Sequence, residues 1–189
     1  MNGLVSACYR VRNREAGDNA ERDVTERLGP GDRDLLLKRI DDAWDELQDV
    51  VRPLDEQRLS VVPPGSDWSV KDHLAHIAVW LDVAVARVTG TPDNAPFGLD
   101  EESFRTASDD ELNDAANRLH KDRPVDEVVE DLRQAHTKIV TLIEGLTEAG
   151  LARPLKSLRP LRRTVMDILV STTSEHYREH SGWIRALVP

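Results

Sequence analysis

Trp68-Ser69-Val70-Lys71-Asp72-His73-Leu74-Ala75-His76-Ile77-Ala78-Val79-Trp80-Leu81 is the stretch on which the fold turns. Ser69 with Asp72 three residues later has the form of a capping box, in which each side chain satisfies the other residue's free backbone N–H at a helix start. Behind it Val70, Leu74, Ile77, Leu81, Ala84, Val85 and Val88 recur every three or four residues, which predicts one helix to about Thr89, ended by Gly90. Its most apolar part, Ile77 to Val88, is interrupted by Asp82 and Arg87 and is too short to cross a bilayer. The stripe therefore asks for a protein core.

The same period returns on either side. Upstream, Asp32 is the expected cap of a helix carrying Leu36, Ile40, Ala43, Trp44, Leu47 and Val51, which Pro53 ends. Downstream, Pro124 opens a third helix with Val128, Leu132, Ala135, Ile139, Leu142, Ile143 and Leu146 on one face, expected to stop before Gly150. Thr164 and Asp167 repeat the capping-box pattern, and Val165, Ile168, Leu169, Thr172, Ile184 and Leu187 continue a fourth helix. Four such helices, each on the order of 30 Å long, are enough to enclose a bundle core. No run alternates as a strand would, so the expected fold class is all-α.

Residues 90–123 are only weakly periodic. They predict a loop to about Gly98 and then a helix with Leu112, Ala116 and Leu119, inserted between the second and third core helices. Residues 1–29 mix Arg, Asn, Glu, Asp and Gly without a sustained apolar period and are expected to form a flexible N-terminal extension. One domain, residues 30–189, remains.

Composition narrows the functions. The formal charge is −10, and repulsion of phosphates on that account leads to the expectation of no nucleic-acid partner. Cys8 is the only cysteine, so neither an internal disulfide nor a thiolate cluster can form, and a metal would have to be held by His, Asp or Glu. Leu4 and Val5 sit among polar residues with Arg10, Arg12 and Arg14 close behind, which does not read as a secretion signal. A cytoplasmic location without membrane attachment is expected. Nucleophile elbows, phosphate-cradling glycine loops and dinucleotide fingerprints are absent from the sequence.

His176 and His180 are one helical turn apart and share a stripe with Val165, Leu169 and Thr172 that should face the bundle interior. Two buried imidazoles without partners would cost on the order of a few kcal/mol, so they call for a hydrogen bond or a metal. The second helix offers His73 and His76 near Trp80, and by periodicity His73 points inward slightly better. One nitrogen from that helix and two from the fourth would leave an open coordination position, as catalytic zinc sites do, and nickel suits the same donors. A His-x-x-x-His pair also arises by chance, and His73, His120 and His136 can serve as ordinary hydrogen-bonded structural residues. Asp72 has two readings, as half of the capping box or as an acceptor or base one turn before His76. Arg153, Lys156, Arg159, Arg162 and Arg163 form a basic cluster that either holds an anionic group or is a solvated loop.

The segment Trp68 to Ile77 resembles the second-helix signature of DinB-like proteins, and Ser174-Glu175-His176-Tyr177-Arg178-Glu179-His180 followed by Trp183-Ile184 resembles their closing motif. The likeness spans about residues 32–188, and Asp126 to Leu146 is similar to the third helix of the family. The resemblance implies an up-down-down-up four-helix bundle, commonly a homodimer, that holds a divalent metal, zinc or nickel, on His76, His176 and His180. It implies His76 rather than His73 as the ligand. It also implies an enzyme in which the metal activates a low-molecular-weight thiol or a water against a reactive small molecule, as a thiol S-transferase or hydrolase in detoxification or self-protection. Trp80, Arg162, Arg163 and Tyr177 are then candidate substrate contacts and Asp72 a candidate catalytic group. Ser171 to Tyr177 is further similar to the ClbS/DfsB branch, whose members often lack one histidine where this chain has all three. A bundle that sequesters a reactive compound without turnover, and a helical interaction module without metal, are the competing readings.

Overall fold

A computed structural model describes residues 28–155, 157 and 163–188. The helices are α1 (Arg33–Val51), α2 (Glu56–Ser60), α3 (Val70–Thr89), α4 (Glu101–Thr106), α5 (Asp109–His120), α6 (Val125–Glu144), α7 (Glu148–Ala152), α8 (Val165–Thr172) and α9 (Ser174–Leu187). A 3-10 turn, Ala95–Phe97, lies between α3 and α4. Among the described residues there is no sheet, only an isolated antiparallel bridge between Pro154 and Thr164. The expected all-α class holds. None of these helices is long and apolar enough to cross a membrane.

The bundle is built from two long pairs, α3 along α6 and α9 along α1, with α8 and α9 also against α3. Leu36, Ile40, Ala43 and Leu47 of α1, Leu132, Ala135, Ile139 and Ile143 of α6, and Val165, Leu169, Tyr177 and Ile184 of α8 and α9 bury their stripes against one another in a single core. Leu28, in the stretch expected to be flexible, is buried in that core; residues 1–27 lie outside the described residues.

Both predicted capping boxes form: Ser69 with Asp72, and Thr164 with Asp167. Gly90 ends α3 in the left-handed conformation at φ 80°, where a side chain would be strained. Asp32 precedes α1 without capping it, because its carboxylate turns back to accept from the Gly29 N–H at 2.8 Å. Two boundaries differ from the sequence reading. The third long helix stops at Glu144, since Gly145 weakens the helix and Thr147 starts a new one by accepting from the Gly150 N–H. The fourth is broken at Thr173, whose φ of −115° and ψ of −95° interrupt the helix. Ser171, Thr172 and Thr173 all donate their hydroxyls back to the carbonyls of Ile168 and Leu169, a competition with the backbone ladder that bends helices.

The insertion has more structure than its sequence suggested. Phe97, Phe104, Leu112 and Ala116 close a second small core over Val79 and Val83, on the side of α3 away from the main stripe. Leu119, expected on the apolar face, is exposed. A buried ion pair between Arg87 and Asp93 (2.9 Å) pins the start of the insertion, and Asp93 also accepts from Ser157 at 2.6 Å. Consequently α3 is buried almost all the way round.

Candidate metal centre

The capping box sets the phase of α3, so that His73 and His76, one turn apart, both point toward α9 and are both buried. From α9 come His176, partly exposed, and His180, at 1% exposure. The four rings form one cluster. His76 lies 5.0 Å from His176 and 4.8 Å from His180 between centroids, and the two rings of α9 are 4.5 Å apart. Nε2 of His76 and Nε2 of His176 approach to 3.1 Å, and Nδ1 of His73 meets Nδ1 of His180 at 2.9 Å. Trp68 packs against His73 and His76, Trp183 against His73 and His180, and Trp80 beside His76.

Burial fixes the charge of this cluster. Desolvation disfavours imidazolium, so the His73 pKa is pushed down to about 4 despite the opposing effect of Asp72. His76 and His180 are held well below the ordinary histidine range, first by burial and then by the neighbouring imidazoles. His73, His76 and His180 are therefore neutral near pH 7 and have lone pairs to give. Nδ1 of His76 and Nε2 of His180 are buried with no hydrogen-bond partner among the described residues, a costly arrangement for a polar atom.

His76, His176 and His180 offer ligand atoms that all lie within 4.8 Å of one another. Three imidazole nitrogens around a tetrahedral zinc stand about 3.3 Å apart, at bond lengths of about 2.0–2.1 Å, so a modest contraction would gather the trio on one ion. The three imidazoles, the lowered pKa values of His76 and His180 and the orphaned nitrogen of His180 all fit a divalent metal of the zinc or nickel type. The partial exposure of His176 leaves a side open to solvent.

Other candidate residues lie elsewhere or have structural partners. Asp72 accepts from the Ser69 N–H (2.8 Å) and hydroxyl (2.6 Å), as the capping reading has it. Trp80 donates its indole N–H to Asn113 Oδ1 (3.1 Å), packs edge-on against Phe97 and lies under Arg87. Tyr177 points the other way from His176, into the core, where its hydroxyl meets His136 Nδ1 at 3.1 Å and its ring lies 5.5 Å from Trp44. Arg163 donates to Ser171 Oγ (3.1 Å), and Arg153 donates to the carbonyl of Val88. Lys156, Arg159 and Arg162 lie outside the described residues. His73, set aside by the family resemblance, sits directly behind His180; its inward periodicity was the signal that could have found it.

No protein of curated function matches this chain. Several solved structures share its fold. The Sibling Lethal Factor Precursor DfsB is 16% identical with a TM-score of 0.65, over 82% of this chain and 93% of that one. The colibactin self-resistance protein ClbS, crystallised in complex with a dsDNA, is 17% identical with a TM-score of 0.62, over 82% and 94%. A protein from Streptococcus pneumoniae is 14% identical with a TM-score of 0.65, over 94% of both chains. The ClbS complex overturns the expectation of no nucleic-acid partner. Net charge averages the whole surface, whereas phosphate contacts depend on where the Lys and Arg side chains gather, so −10 does not exclude them for this fold. The DinB superfamily model matches residues 39–184, most of the chain and both helices that bear the histidines, and the protein therefore belongs to the DinB superfamily.

Proposed function

We propose that residues 30–189 form a metal-dependent enzyme domain that directs a low-molecular-weight thiol, or a water, against a reactive small molecule, as a thiol S-transferase or hydrolase. The observation that carries this reading is the meeting of His76, His176 and His180 from two helices about 100 residues apart, with burial holding His76 and His180 neutral and a buried nitrogen left unsatisfied. A divalent ion held there supplies a Lewis acid that lowers the pKa of a thiol or water near neutrality. The chain's own part is positioning. The two helices fix the rings, Trp68, Trp80 and Trp183 wall the cluster against water, and the open side at His176 is where a substrate would approach. Substrate selection falls to Trp80, beside His76, and to Arg163. In this reading the protein works in the cytoplasm, where small thiols are kept reduced.

The likeness of fold to a colibactin self-resistance protein supports protection against a reactive metabolite as the role. The test is to load the full chain with zinc or nickel and supply a haloarene with a panel of thiols. Metal-dependent product formation that His176→Ala abolishes supports the enzyme. Tight binding of the electrophile with no product would replace it with sequestration, and a chain that takes up no stoichiometric metal would overturn the reading altogether.

A further inference from the structure

His180 has two ring nitrogens in very different surroundings. Nε2 is buried and has no partner among the described residues, while Nδ1 lies 2.9 Å from Nδ1 of His73. Two imidazole nitrogens at that distance hold a single proton between them: one ring donates its N–H and the other accepts with its lone pair. The direction of that bond decides the chemistry of the far side. If His180 donates from Nδ1, its Nε2 is a bare, buried lone pair that a metal can take. If His73 donates, a neutral His180 must carry its proton on Nε2, where nothing among the described residues accepts it and no metal can bind.

We propose that His73 is a positioning residue: it accepts the Nδ1 proton of His180, locks that ring in one tautomer and so presents Nε2 as a metal ligand. This inference rests on the metal reading above. The geometry gives His73 little freedom to do otherwise. It is buried one turn before His76 on the same helix, and its ring is confined by Trp68 at 5.2 Å and Trp183 at 6.0 Å. Helix α3 would thus contribute a ligand through His76 and the brace for the opposing helix's ligand through His73. Partners of this kind raise ligand basicity and fix ring orientation, and their loss typically weakens metal affinity about 10- to 100-fold.

The test uses the full chain with histidine 15N label, His73→Phe and His73→Asn. Long-range 1H–15N spectra of the metal-free protein at pH 7.5 read the His180 tautomer, and zinc competition against a chromophoric chelator reads affinity. Expected is a proton on Nδ1 of His180 in the unaltered chain. In His73→Phe that preference is lost and zinc affinity falls about 10- to 100-fold. In His73→Asn, whose side-chain oxygen can accept in place of the imidazole nitrogen, most of both returns. Metal-free melting temperatures show that each variant folds. Zinc affinity unchanged in His73→Phe, or a His180 proton on Nε2 in the unaltered chain, overturns the positioning role alone. Failure of the unaltered chain to bind zinc overturns the metal reading with it, and the titration of that chain tells the two apart.

Discussion

Helix α9 carries histidine chemistry on one side and a tyrosine on another, and the two neighbourhoods differ in how they are completed. On the Tyr177 side, His136 stacks on Trp44 with centroids 3.9 Å apart and planes 7° from parallel, and its Nδ1 meets the Tyr177 hydroxyl. Burial depresses that imidazole as well, to about 4, against a pull from Asp41 in the other direction. Yet the group closes on itself: its buried hydroxyl has a partner and no second donor converges on it. On the His180 side burial has a similar effect on charge, but three donors converge and polar atoms are left over. A depressed pKa alone therefore does not mark a site. Convergence with incomplete satisfaction does.

The largest expected effect separates the two sides outright. His176→Ala should abolish stoichiometric zinc uptake measured by elemental analysis, while His136→Ala leaves the stoichiometry intact; equal loss in both would erase the distinction. The pH response comes next. His73 and His136 have folded values near 4 against an ordinary 6.5, and His76 and His180 are lowered too. Between about 6.5 and 4 the unfolded chain binds protons that the metal-free native chain refuses, so this stability is full above the window and lost as pH falls through it. His73 alone would contribute on the order of 3 kcal/mol across the whole window. Urea midpoints should fall steeply from pH 7 to 4.5, His136→Asn should remove one site's share of the slope, and a flat profile would contradict the buried neutral cluster.

Smaller effects sharpen the contrast. Tyr177→Phe breaks the closed group and should cost about 1.5 kcal/mol in chemical denaturation without altering zinc affinity. A change in zinc affinity would mean that the two sides of α9 are coupled. Ser69→Ala removes the cap that ties Asp72 and should cost about 1 kcal/mol. If zinc affinity moved markedly as well, Asp72 would have a role at the centre beyond its capping bonds.

Helix period made most of the bundle legible. The stripes of α1, α3 and α6 each face the core, and two of the predicted start signals form as written. The candidate trio could be reached from the family motif, whereas periodicity alone favoured His73, which is as buried as His76 but stands behind His180 rather than in the trio. What stayed hidden was tertiary. Val79 and Val83 lie off the main stripe of α3, and nothing local says that Phe97 and Phe104 will fold back to cover them. Arg87 read as a charge breaking an apolar run, and its burial goes with an ion pair to Asp93 six residues on, itself held by the remote Ser157. The break at Thr173 had a local cue in Ser171-Thr172-Thr173-Ser174, but such residues bend a helix only when their hydroxyls take the backbone carbonyls.

The enclosure of α3 has a mechanical consequence. Held by the main core on one flank and by the insertion's aromatic cap on the other, it is a fixed post that cannot tilt or slide without disturbing both. Any tightening of the imidazole trio would then fall to side-chain rotation or to α9, which packs along α1 but is interrupted as a rod at Thr173. Ser171, Thr172 and Thr173, whose hydroxyls take the carbonyls at that break, therefore stand between the start of the fourth rod and its two histidines.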